Sequence, residues 1–240
     1  MQRPLVTSCF QGTVTPAKSR SQRIRMKLVG IQGSPSAASR SGSLLALAQS
    51  RLSPLASRWH PITVRELPAQ ALLHAQFDHP EIRQALGEIA QAQVVLIATP
   101  IYKAAYSGLL KAFLDLLPQD ALRGKTVLPL ATGGSIAHLL ALDYALKPVL
   151  SALGARDILD PVFATDEQIP RHESQGYAPS PNVVERVDFA LQTLNDLAEE
   201  FARSEEAARE RDQLLARLQP KPVAAVEPEQ WAARDVRWSV

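Results

Sequence analysis

Three short stretches hold the residue types with which this chain can do chemistry. Gly33 to Ser43 (GSPSAASRSGS) places five serines, two glycines and Arg40 directly before an apolar-periodic run. Free backbone N–H groups at the start of a helix point the same way, and the helix dipole adds positive potential there, so the position suits an anion. Ser34, Ser39 and Ser41 are candidate hydroxyl ligands, and Arg40 adds charge and paired donors. The pattern is neither GxGxxG nor GxxxxGKS, which points to a single phosphate monoester rather than a dinucleotide pyrophosphate or a triphosphate. A plain polar turn with a serine N-cap would use the same residues.

The second stretch, Thr99 to Gly108 (TPIYKAAYSG), leaves the most apolar run of the chain. Pro100 stiffens it, Tyr102 and Tyr106 place two aromatics near one another, and Lys103 adds a cation. A flat ring can lie along Pro100, Ile101, Tyr102 and Lys103, its edges bonded by main-chain N–H groups; Tyr106 in the core and Lys103 in solvent are the ordinary alternatives. The third stretch is Thr132, Gly133, Gly134 and Ser135. Paired glycines permit positive φ and a close approach of backbone to ligand, as they also permit a turn into a helix. One stretch fits a phosphate, one a flat ring and one close backbone contact; as a set they describe flavin mononucleotide, FMN.

The elements around these stretches alternate. Strands are predicted at 27–32, 62–67, 93–99, 126–131 and 157–163, and helices at 43–57, 80–91, 105–117, 135–153 and from Asn182 to about Leu218, with 68–79 as a loop. The 93–99 run is apolar on both faces, as a central parallel strand is. Pro129 interrupts the fourth strand and predicts a bulge or a local edge. Parallel neighbours need crossover helices, so the chain is an α/β three-layer sandwich with a five-stranded parallel sheet. The order 2-1-3-4-5 is the flavodoxin-like solution, and it brings the three stretches to the carboxyl ends of adjacent strands, where open sheets bind ligands.

Composition narrows the function classes. The 240 residues carry 26 basic and 24 acidic side chains, but the first 30 hold six bases and no acid, which leaves 20 against 24 in the rest. A mildly acidic body argues against a nucleic-acid surface. No apolar run approaches the roughly 20 residues a membrane span needs. The single cysteine, Cys9, excludes a disulfide scaffold and suits a reducing, cytoplasmic setting. His60, His74, His79, His138 and His172 show no metal-ligand spacing. Residues 1–25 read as a disordered leader or an upstream start ahead of Met26, although their Ser/Thr/Arg content resembles a transit peptide; 26–203 is the domain, and 204–240 a charged helical extension and disordered tail.

The segments GSPSAASRSGSLL, ATPIYKAAYSGLLKAFLDLLP and LPLATGGSIAHLLALDYALKPVLSALGA resemble NADPH-dependent FMN reductases of the flavodoxin-like superfamily, most of all the sulfonate-utilisation group that supplies reduced flavin to alkanesulfonate monooxygenases. The resemblance spans about 26–200. It implies a phosphate loop of the form GSxRxxSxN on Ser34, Ser39 and Ser41, with Ser36 in place of the arginine and Ser41 in place of the asparagine, so that Arg40 is left to supply charge. It implies the ring loop on Pro100 to Lys103 and the far-edge loop on Thr132 to Ser135. It also implies a π-bulge at Tyr144, at the interface of a dimer or tetramer.

The resemblance further implies hydride transfer from NADPH to FMN, with no catalytic side chain, since the two cofactors carry the chemistry and the protein aligns them. Gly133 and Gly134 are placed to offer N–H groups to the ring as it gains negative charge. FMN is then a substrate as much as a cofactor, reduced and released to a flavin-dependent monooxygenase that desulfonates organosulfonates. Two alternatives stand beside this: an enzyme that keeps FMN and reduces quinones, azo dyes or metal oxyanions, and a non-enzymatic flavodoxin-like electron carrier. Carriers are strongly acidic, and a body with only four excess acids is not.

Overall fold

Val94 to Ala98 are buried on both faces because β3 (Val94–Tyr102) is the middle strand of a parallel sheet. β1 (Met26–Gln32) pairs it on one side, Leu28 against Val94 through Gln32 against Ala98. β5 (Thr126–Gly133) pairs it on the other, Val94 against Thr126 through Pro100 against Thr132. β2 (Ala56–Thr63) lies outside β1, and the fifth position is shared by β6 (Asp157–Ile158) and β7 (Val162–Thr165), both parallel to β5. The order is therefore 2-1-3-4-5, the flavodoxin-like arrangement. This computed structural model describes residues 26–173 and 176–218, together with their side chains except at 197, 198, 201, 202, 205 and 216–218. Residues 1–25, with Cys9, and those beyond 218 lie outside the described residues, as do the side chains of Leu197 and Phe201.

Helices cover both faces. On one side α1 (Arg40–Leu52) and the first turns of α6 (Pro181–Leu218) pack Leu44, Ala48, Val183, Val187 and Leu191 onto Leu28, Leu96 and Leu128. On the other, α3 (Pro80–Gln91), α4 (Gly108–Leu114) and α5 (Lys147–Ala152) pack Ile82, Ile89, Phe113 and Leu150 onto Val29, Val95 and Val127. Helix α2 (Ala69–Leu73) adds Ala71 and Leu72 to that second core, inside the stretch predicted to be a loop. The chain divides into two units at Glu199/Glu200; in the second, residues 200–218 are helical and exposed wherever their side chains are described. Among the described residues no helix is long and apolar enough to cross a membrane.

Where the elements differ from the sequence reading, a contact explains it. The second strand runs 56–63 rather than 62–67, because Trp59 lies over Gly30 of β1 so closely that a Cβ on Gly30 would stand 2.5 Å from the indole. Val64–Glu66 is a 3-10 turn instead. The first helix begins at Arg40 rather than Ser43, since the Ser39 hydroxyl accepts the Gly42 N–H and caps it; it ends at Leu52, where Pro54 sits in a 3-10 turn. Residues 105–106 form a short strand, β4 (Ala105–Tyr106), folded back on β3, so the next helix starts only at Gly108. Residues predicted as one helix over 135–153 form a 3-10 turn (Ile136–Leu139), a π-helix (Leu142–Leu146) and α5. The fifth strand breaks at Leu159–Pro161, opposite Leu128 and Pro129 of β5. Pro129, which has no N–H to give, thus faces the gap in its neighbour and keeps regular register with Ile97 on the other side.

Candidate flavin site

The carboxyl ends of β1, β3 and β5 open onto one cleft, lined by Ser34, Ser39, Arg40 and Ser41 from the first loop, Pro100, Ile101 and Tyr102 from the second, and Thr132, Gly133 and Gly134 from the third. Ten of the twelve residues singled out in sequence therefore share one cavity. Lys103 and Ser135 do not line it. Lys103 heads the turn between β3 and β4, and Ser135 caps the following 3-10 turn, its hydroxyl accepting the Ala137 N–H at 3.3 Å. A larger groove of about 720 Å³ runs between 158–162 and the first turns of α6, but none of the three loops reaches it. Donor chemistry rather than volume selects the strand-end cleft.

The first loop is held from two sides. Gly33 N–H donates to Ala98 O at 2.8 Å, and the buried Ser107 hydroxyl donates to Gly33 O while accepting the Leu110 N–H at 3.1 Å as the N-cap of α4. Gly33 has no room for a side chain: a Cβ there would lie 2.7 Å from Leu110 Cβ. Ser34 Oγ accepts the Ser36 N–H at 3.2 Å. Ser41 lies in the first turn of α1, 1% exposed, and its Oγ has no hydrogen-bond partner. A buried hydroxyl without a partner carries a desolvation cost, which a ligand oxygen at this helix start would relieve. The observation fits a phosphate group, and with it FMN.

Arg40 is already engaged. Its Nε donates to Ile169 O at 3.1 Å, a terminal nitrogen lies 3.5 Å from Asp166, and the guanidinium carbon stacks 4.8 Å from the Tyr177 ring centre. Asp166 and Tyr177 line the cleft and were not singled out in sequence. Asp166 leaves the fifth strand, a fourth strand end beside the three considered, and that adjacency was the available signal; Tyr177 comes from the small antiparallel pair of Arg171–His172 with Gly176–Tyr177 further along. Arg186 and Gln168 brace this segment: Arg186 donates to Phe163 O at 2.7 Å and to Gln168 Oε1 at 3.1 Å.

The second loop is a two-residue hairpin. Tyr102 faces Ala105 across it, and Lys103 and Ala104, at its tip, have φ of 52° and 62°. Both tip residues are left-handed, a conformation glycine or asparagine usually supplies. Tyr106 behind the tip is half-buried, and burial pushes its phenol above the ordinary value of 10.0. In the third loop the positive φ anticipated for the glycine pair is absent: neither Gly133 nor Gly134 is left-handed. Gly133 is small because His138 packs on it, a Cβ there standing 3.0 Å from Nδ1, while a Cβ on Gly134 would meet nothing within 4 Å. The Nδ1 of His138 is buried and has no hydrogen-bond partner.

A parallel 2-1-3-4-5 sheet whose switch-point loops bring serine hydroxyls, a helix start and a stiff aromatic edge to one cleft defines a flavodoxin-like protein with a ligand cleft at its strand ends. Residues 26–169 match the family model of NADPH-dependent FMN reductase. The chain is 48% identical to the FMN reductase (NADPH) of Escherichia coli K12 over 70% of its own length and 88% of the relative's. It is 47% identical to the FMN reductase (NADPH) of Pseudomonas putida KT2440 over 73% and 86%. The crystal structure of an NADH:FMN oxidoreductase, EmoB, in its apo form superposes with a TM-score of 0.62 at 38% identity, covering 75% of this chain and 89% of that one. The chain belongs to the NADPH-dependent FMN reductase family: it is an oxidoreductase, and FMN and NADPH are its cofactors.

Proposed function

We propose that this enzyme reduces FMN as a dissociable substrate and passes it to a flavin-dependent monooxygenase that desulfonates organosulfonates. The observation that carries the site assignment is Ser41, a buried hydroxyl with no partner at the start of α1, in the cleft where the three loops meet. Ser34, Ser39, Ser41 and the first N–H groups of α1 hold the phosphate; Pro100, Ile101 and Tyr102 flank the ring, and the backbone of Gly133 and Gly134 meets its far edge. When bound, FMN supplies the hydride-accepting chemistry. The protein's part is orientation and N–H donors fixed in advance where negative charge develops.

Release of the flavin is supported by a cradle whose hydroxyls are neutral and by the apo form in which EmoB crystallised. The sulfonate link is supported by the motif resemblance and by the π-helix centred on Tyr144, which is 80% exposed. Ile136, Leu140 and Tyr144, three exposed apolar residues of this segment, are suited to assembly into a homo-dimer or tetramer. A second reading, in which FMN stays bound and a quinone, azo dye or metal oxyanion takes the electrons, is favoured by Tyr102, half exposed at the cleft edge, where a flat acceptor can stack.

Steady-state oxidation of NADPH and NADH by extensively dialysed protein, with and without FMN, FAD, riboflavin and a quinone, separates the two. Strong dependence on added FMN supports release. One FMN retained per chain, with quinone turnover exceeding turnover of free FMN, supports retention.

A further inference from the structure

Among the described residues, the lining of the strand-end cleft carries two opposite charges, Arg40 and Asp166, and they are paired with one another. Arg40 opens α1, the position from which a cation would best serve a phosphate. Yet its carboxylate partner, its carbonyl acceptor and its stacked ring, Asp166, Ile169 and Tyr177, all come from the segment after β7. The first turn of α1 contains no acid, so Asp166 is the counter-charge supplied to Arg40 from across the cleft.

We infer that Asp166 sets the affinity for the flavin phosphate: it occupies Arg40 and places a carboxylate beside the incoming anion, so that FMN is held by neutral donors and leaves readily. A phosphate in this cleft competes with Asp166 for the guanidinium and is repelled by the carboxylate. Both side chains are partly exposed, 30% for Arg40 and 48% for Asp166, so water and salt moderate the effect. They line the same cleft as Ser34, Ser39 and Ser41, and charges are screened over about 8 Å at physiological salt. Residues chosen to retain FMN would leave Arg40 free. The inference rests on the reading of FMN as a released substrate and identifies the residue that controls that release.

Titration of the dialysed full-length protein with FMN and with riboflavin, followed by flavin fluorescence, tests it in wild type, Asp166→Asn and Asp166→Ser. Removing one like charge from beside the phosphate should lower the Kd for FMN about tenfold in both variants. Riboflavin, which lacks the phosphate, should shift by less than about twofold, since no charge of its own meets Asp166. The FMN dissociation rate, read by stopped flow, should fall with the Kd. Unchanged or weaker FMN binding in both variants would overturn the inference, since Asp166 would then be holding Arg40 in place for the phosphate. Equal tightening of FMN and riboflavin would overturn it as well. If wild type retains its FMN through dialysis, the released-substrate reading fails; if wild type releases FMN but the variants gain nothing, only the role of Asp166 fails.

Discussion

At Ser41 folding and binding pull in opposite directions, and at Ala104 the backbone holds strain. The Ser41 hydroxyl is buried without a partner, so Ser41→Ala should not lower the thermal midpoint and should raise it slightly. The same change removes a donor to an anion, a hydrogen bond of about 1.5–3 kcal/mol, and should weaken FMN binding by about tenfold or more while sparing riboflavin. A thermal melt and a fluorescence titration on one preparation check both halves. Ala104 sits at φ 62°, where an L side chain is strained. Ala104→Gly should stabilise the fold by about 0.5 kcal/mol, the relief of strain less the entropy glycine adds to the unfolded chain. Urea denaturation would show it as a higher midpoint at constant slope. Sequence made Ser41 a candidate by type and position, but the absence of any partner for its hydroxyl is a property of the packed structure.

At the scale of elements, the cleft depends on a clasp between two loops. Ser107 caps α4: its hydroxyl accepts the Leu110 N–H and donates to Gly33 O, and its own N–H donates to Thr99 Oγ1 at 3.1 Å. One buried side chain therefore joins the loop after β1 to the loop after β3. Ser107→Ala removes the cap and leaves a buried carbonyl short of a donor, a loss of about 2–3 kcal/mol. Chemical denaturation should record that loss, and FMN affinity should fall with it because both loops loosen. The helices and central strands were legible, since their apolar runs and periodicity are local. The second strand, the hairpin at 101–106 and the three-part helix after Ser135 were less so. Trp59 over Gly30 and a strand turning back on itself are pairings between residues, and hydrophobic period does not encode them.

For the whole molecule, the exposed apolar residues Ile136, Leu140 and Tyr144 make the proposed assembly testable apart from flavin binding. Leu140→Glu puts a charge among them and should shift the proposed oligomer to monomer in light scattering coupled to size exclusion. A mass unchanged from wild type would show that this segment holds no subunits together. The sequence by itself determined the alternation of strands and helices, the doubly wound class that follows from it, and the three strand-end loops. Each is written in runs of neighbouring residues whose burial and backbone preferences act locally. Only the tertiary structure decided that Arg40 is spoken for, that Asp166 and Tyr177 join the lining of the cleft, and that Gly133 makes room for His138 instead of a left-handed turn. Those outcomes depend on which side chains from distant segments arrive at the same few ångströms, and charge pairing and steric fit are settled there, after the sheet has formed.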